Sequence, residues 1–166
     1  MQTKKLTELG LLLAVSLVLS YFESLIPAFI PVPGVKLGLA NVVTLFVLYQ
    51  NGGRQAFVFT LLRVVLSGLL FSGVSGILYG LAGGLCSLFV MSRLLKCPAF
   101  SVLGVSAAGG ISHNLGQIIV AVLVMENVQL FYYFAVLLLS GTISGFLIGY
   151  LGFWLFKQYH RIFPQE

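Results

Sequence analysis

The sequence predicts an all-α membrane protein: one integral membrane domain over residues 1–166, a bundle of six transmembrane helices with an apolar external loop after the first. Three observations lead there. Hydrophobic residues make up 59% of the chain and charged residues 8%, with a mean hydropathy of +1.07, and no water-facing surface can be built from that inventory. The apolar residues gather in runs near twenty long, enough to span a hydrocarbon core of about 30 Å. The basic residues, tallied loop by loop, favour one side.

Helices are expected at about 6–25, 37–51, 54–71, 74–93, 100–125 and 129–157. In the first, Lys4 and Lys5 precede an apolar run from Leu11 to Leu19, as in a signal peptide, but no small-x-small cleavage site precedes Tyr21, so it reads as a retained helix. The second is short for a crossing, and is either tilted or continued by part of the preceding loop. Helices three and four meet at a tight joint, Phe71 to Val74; merging them would spoil the charge pattern, so they are kept apart. With the N-terminus inside, Lys4, Lys5, Arg54, Arg93, Lys96, Lys157 and Arg161 are cytoplasmic and Lys36 alone is outside. An even number of spans puts both termini in the cytoplasm of a multi-pass cell-membrane protein.

Between helices one and two, Ile26 to Lys36 holds three of the five prolines and is apolar, unlike a solvated loop. It is either a lid folded over the bundle or a segment lying among the lipid headgroups. Nineteen glycines run through the helices. Gly141, Gly145 and Gly149 form a smooth stripe on helix six suited to close packing. Gly10 and Ala14 give helix one a shorter small face, turned either to its own bundle or to another subunit.

Several chemistries are excluded by scarcity. Glu8, Glu23, Glu126 and Glu166 are the whole acidic complement, and there is no aspartate. Paired-carboxylate catalysis, an aspartate-bound magnesium cluster for diphosphates and a Walker-type ATPase site all need acidic residues that are not there. No enzymatic activity and no cofactor is expected, and any energised step draws on a partner or an ion gradient. Cys86 and Cys97 read as free thiols. The net charge of +5 is scattered singly between apolar runs, so topology explains it better than nucleic acid.

The polar residues inside the predicted spans are the candidate site. Arg63 lies midway along helix three, where an unpaired charge costs about 3 kcal/mol, so it is expected to face inward. It either neutralises an anionic substrate, pairs structurally with Glu23, or caps the carbonyls of a broken helix. In helix five, His113 and Gln117 are four apart and share a face, with Asn114 about 100° round from His113. Three such residues within five favour a cavity over interhelical hydrogen bonding, the commoner use of one such residue per helix. Glu23 and Asn41 flank the proline loop with Lys36 and are expected to converge near the external mouth. Phe131, Tyr132 and Tyr133 either line that mouth or belong to the interfacial aromatic belt. A lone histidine with no Cys or carboxylate at ligand spacing argues against metal.

On Pro33-Gly34-Val35-Lys36-Leu37-Gly38-Leu39-Ala40-Asn41, with Glu23 upstream and Gly109-Gly110-Ile111-Ser112-His113-Asn114-Leu115-Gly116-Gln117 downstream, the chain resembles the Gx transporter family, whose members carry the label heptaprenyl diphosphate synthase component I. That family is similar in turn to the S components of energy-coupling factor transporters, substrate-binding six-helix proteins with an external lid loop. The resemblance implies an S-component-like fold and partners: a transmembrane coupling subunit and cytoplasmic ATPases. Prenyl diphosphate synthases of the usual kind hold magnesium through aspartate-rich helices, which this chain lacks. Some relatives are connected with quinone supply and flavin-based extracellular electron transfer, which implies an alternative: a membrane accessory or scaffold in isoprenoid quinone or electron-transfer metabolism. The leading expectation is a subunit for uptake of a small or amphipathic molecule, with Arg63, His113, Asn114 and Gln117 lining the pocket.

The orientation is testable. A cysteine introduced at either terminus of a Cys-free variant is expected to react with a membrane-impermeant maleimide only after lysis; labelling in intact cells would overturn it.

Overall fold

The computed structural model describes residues 2–25 and 38–162. The apolar loop expected as a lid, and Lys36 within it, lie outside the described residues. The chain forms α1 (Gln2–Leu25), α2 (Leu39–Asn51), α3 (Gly53–Ser67), a π-helical turn (Gly68–Ser72), α4 (Gly73–Leu94), α5 (Val102–Met125), a 3-10 turn (Val128–Tyr133) and α6 (Phe134–Ile162). There is no strand among the described residues.

Four helical stretches are long and apolar enough to cross a membrane: Thr3–Leu25, Gly53–Leu94, Val102–Met125 and Val128–Tyr159. The third and fourth expected helices therefore share one 42-residue stretch without a coil residue between them. This stretch nonetheless doubles back. Gly68 lies against Ile77, Gly80 against Val64 and Gly84 against Thr60, an antiparallel register. The reversal sits at Gly73, whose φ of 70° suits a residue without a Cβ. Lipid offers no hydrogen bonds to a reversing backbone, and the π-helical turn keeps its polar groups paired internally up to the bend.

α4, α5 and α6 pack through glycine. A Cβ on Gly110 would strike the Gly141 carbonyl oxygen, one on Gly145 would come within 2.6 Å of the Ala107 Cα, and one on Gly149 within 2.9 Å of the Leu103 Cα. The stripe predicted on α6 thus faces α5, backbone on backbone. Between α4 and α5, Gly116 meets the Ala82 carbonyl and Gly109 meets Met91. With lipid tails as apolar as leucine, van der Waals contact at this range is what holds such helices together.

α2 is the buried centre: every residue from Val42 to Leu48 is buried, with Leu45 and Val47 fully so. It runs parallel to α6, Gly38 level with Ile148 and Leu45 with Gly152, and Phe46 stacks on Phe156. Around it the chain alternates in direction. Lys4, Lys5, Arg54, Arg93, Lys96, Lys157 and Arg161 consequently share one end of the bundle, all exposed. The opposite end is built from the C-terminus of α1, the N-terminus of α2, the reversal at Gly73, the C-terminus of α5 and the 3-10 turn. α1 lies outermost, with Leu11, Val15, Val18 and Phe22 uncovered by protein, as suits a lipid-facing helix.

Gly110→Ala is expected to destabilise the bundle by about 1–3 kcal/mol, because the new methyl must displace backbone. Gly10→Ala, where nothing lies within 4 Å, is expected to be neutral. Thermal unfolding in detergent measures both, and equal effects would contradict the packing.

Candidate ligand-binding cavity

The short central helix makes room for a cavity. α2 begins at Leu39, level with Ile148 on α6, so α6 continues beyond it through Leu147 back to Phe134, roughly 20 Å at 1.5 Å per residue. Into that space opens a cavity of about 480 Å³, within the usual range of about 300–1,000 Å³ for small-molecule sites.

Its polar floor starts at the α1–α2 junction. The Gly38 N–H donates to Glu23 Oε1. Gly38 is left-handed (φ 73°) and provides no side-chain cap for α2, so the carboxylate from α1 meets the positive end of the α2 dipole. A side chain at Gly38 would also crowd Asn41, its Cβ within 2.9 Å of Nδ2. Asn41, in the first turn of α2, accepts a 2.9 Å hydrogen bond from Arg63 Nη2 on α3. Arg63 is only 7% exposed, and Glu23 is the charge that acts on it. Three helices are thus tied together by a carboxylate, an amide and a guanidinium at the cavity wall.

The other side of the floor comes from α5. His113 lies over Gly83 of α4, where a Cβ would approach Nε2 to 2.8 Å, so the missing side chain is the room the imidazole occupies. Gln117, one turn on, lines the same cavity. Of the predicted site residues, the fold therefore brings Glu23, Asn41, Arg63, His113 and Gln117 to one cavity. Asn114 stands elsewhere. It is buried between α5 and α6, where Nδ2 donates at 2.6 Å to the Leu137 carbonyl, and Gly141 leaves room for it. The 100° step separating it from His113 turns it to the neighbouring helix.

Toward the mouth the lining becomes apolar: Phe71, Ala121, Met125, Leu130 and Tyr133. Tyr133 lines the cavity and is half exposed as well, while Tyr132 is 85% exposed. Sequence reasoning passed over Ser20 and Ser24 on α1 and Tyr79 on α4, which also line the space. For α1 a signal existed: Ser20, Glu23 and Ser24, at i, i+3 and i+4, put a polar face on an otherwise apolar helix. Among the described residues, no three His, Cys, Asp or Glu side chains gather as a metal site would need.

The family model described as heptaprenyl diphosphate synthase component I matches residues 12–155. No curated protein and no solved structure matches the chain.

Asn114 and Gln117 are expected to respond oppositely to truncation. Asn114→Leu removes an interhelical hydrogen bond and is expected to cost about 1 kcal/mol. Gln117→Leu removes a buried Oε1 that has no partner among the described residues, and is expected to leave stability unchanged or raise it. Unfolding curves of the two variants, with their order reversed, would contradict the assignment.

Proposed function

The chain belongs to the heptaprenyl diphosphate synthase component I family, and we propose that it is a substrate-binding membrane subunit for uptake of a small or amphipathic molecule. The observation that carries this reading is the cavity at one end of the bundle, which brings Glu23, Asn41, His113 and Gln117, from α1, α2 and α5, together with the buried Arg63 of α3. An intramembrane charge facing a closed apolar wall costs several kcal/mol unless it is paired or used, and such residues commonly mark a substrate pathway.

On this reading the chain crosses the membrane six times, α3 and α4 counting separately because the stretch doubles back and α2 crossing as a short, protein-covered helix. Both termini are cytoplasmic, in keeping with the seven basic residues at one end, and the cavity opens outward. The S-component likeness extends to partners: a transmembrane coupling subunit and cytoplasmic ATPases supply the energy, since this chain has no nucleotide motif. The protein itself is not an enzyme; it binds and releases.

A second reading draws on the family's description, which names a component of a prenyl diphosphate synthase, and on the apolar mouth of the cavity. The chain is then a membrane accessory or scaffold in isoprenoid quinone or electron-transfer metabolism. Copurification from native membranes separates the two. Coupling and ATPase subunits, together with a bound small molecule detected by mass spectrometry and depleted in Gln117→Leu at unchanged stability, are the expected result. A prenyl-transfer or redox partner, with bound molecules indifferent to Gln117→Leu, would favour the accessory reading and overturn uptake.

A further inference from the structure

The end of the bundle that holds the cavity is apolar on its outside. Leu70 and Val74 at the α3–α4 reversal, Leu123 near the end of α5, and Val128 and Tyr132 of the 3-10 turn are all exposed. Among the described residues, Glu126 is the charged side chain on that rim, since Glu23 and Arg63 belong to the cavity. A mouth set in water would leave this apolar surface wet, whereas lipid covers it at no cost. The rim therefore lies at the depth of the lipid, and what meets it first is whatever the bilayer dissolves.

On one flank the cavity wall is a single helix thick. Ser20, Glu23 and Ser24 of α1 line the space, while Tyr21, Phe22 and Leu25 are exposed; at 100° per residue these sets occupy opposite faces of the helix. The π-helical turn repeats the pattern, with Gly68, Phe71 and Ser72 on the cavity and Leu69 and Leu70 exposed. The two walls meet where the Tyr21 ring packs on the Phe71 ring, their centroids 5.5 Å apart. Both rings remain exposed, and Phe71 also lines the cavity, so one side chain touches the inside and the outside of the site. Ring contact of this kind carries no directional bond, and exposed side chains change rotamer within nanoseconds. The polar residues of α1 stand directly behind the pair. We propose that the cavity draws its ligand sideways from the leaflet at this end, between α1 and the π-helical turn, with the Tyr21–Phe71 contact as the gate. The ligand is then an amphiphile dissolved in the bilayer and not a solute of the external water. This deepens the ligand-binding reading of the cavity and rests on it.

The test uses the full chain in phosphatidylcholine nanodiscs, with Trp154→Phe removing the one native tryptophan and Tyr79→Trp placing a fluorescent reporter in the cavity lining. Two quenchers are compared: 10-bromodecan-1-ol, which dissolves in the bilayer, and acrylamide, which stays in water. The bromoalcohol is expected to quench saturably and to reach its plateau roughly fivefold faster when Tyr21→Ala or Phe71→Ala is added. Tyr21 does not line the cavity, so Tyr21→Ala leaves the plateau itself unchanged. Met125→Ala, which trims the lining on α5 instead, leaves the rate as it was, and acrylamide quenches every variant alike. If Tyr21→Ala does not fold, the contrast between Phe71→Ala and Met125→Ala decides. A rate that follows Met125→Ala, a rate indifferent to both rings, or acrylamide quenching that rises with Tyr21→Ala overturns lateral entry while leaving the cavity a binding site. Absence of saturable quenching in every variant brings down the binding-site reading and this inference with it.

Discussion

A helix of 13 residues rises about 20 Å, and a hydrocarbon core is about 30 Å deep, so α2 leaves roughly a third of that depth without its own backbone. Much of the architecture follows from this deficit. The helix is buried from Val42 to Leu48, which frees its flanks from contact with lipid, and beyond its N-terminus the surrounding helices enclose a space instead of a core. The cavity is the missing length of the central helix.

A helix that begins inside a membrane protein leaves N–H groups without an intrahelical partner. The chain answers with Glu23, reaching from α1 to the Gly38 N–H. A carboxylate so placed needs relief of its own, and Arg63 lies near enough to act on it while bonded to Asn41. Each of the three residues makes the others tolerable: the glutamate satisfies the helix start, the arginine offsets the glutamate, and the asparagine orients the arginine. Two charges that would be prohibitive singly are held as a compensated pair, and the chemistry left to the cavity is that of hydrogen bonding and apolar contact.

The remainder of the wall is held by a different force. α4, α5 and α6 approach so closely at Gly109, Gly110, Gly116, Gly141 and Gly145 that a methyl at any of them would strike a neighbour, and the Asn114 bond to Leu137 adds a directional contact to that seam. α1 is fastened otherwise, by Leu9, Leu12, Leu13 and Leu19 packed on the core and by Glu23 at its end, with most of its surface left to lipid. His113 and Gln117 accordingly project from a seam of backbone contacts, whereas Glu23 projects from the most lipid-exposed helix.

The sequence by itself determined the all-helical class and the membrane character, because both follow from local quantities: hydropathy summed over a window and the scarcity of charged residues do not depend on the fold. It also singled out Arg63, His113 and Gln117, because a polar side chain in an apolar run needs a partner wherever the helix lies. Only the tertiary structure decided which partner. Asn114 and Gln117 are both amides within one turn, and sequence spacing treats them alike; the packing of α6 against α5 engages the first, and the short α2 leaves the second facing a cavity. The joint expected at Phe71 to Val74 is where the chain reverses, at Gly73; what stayed illegible is that helical structure runs through it from Gly53 to Leu94, since composition does not tell a glycine at positive φ from glycines that serve close packing.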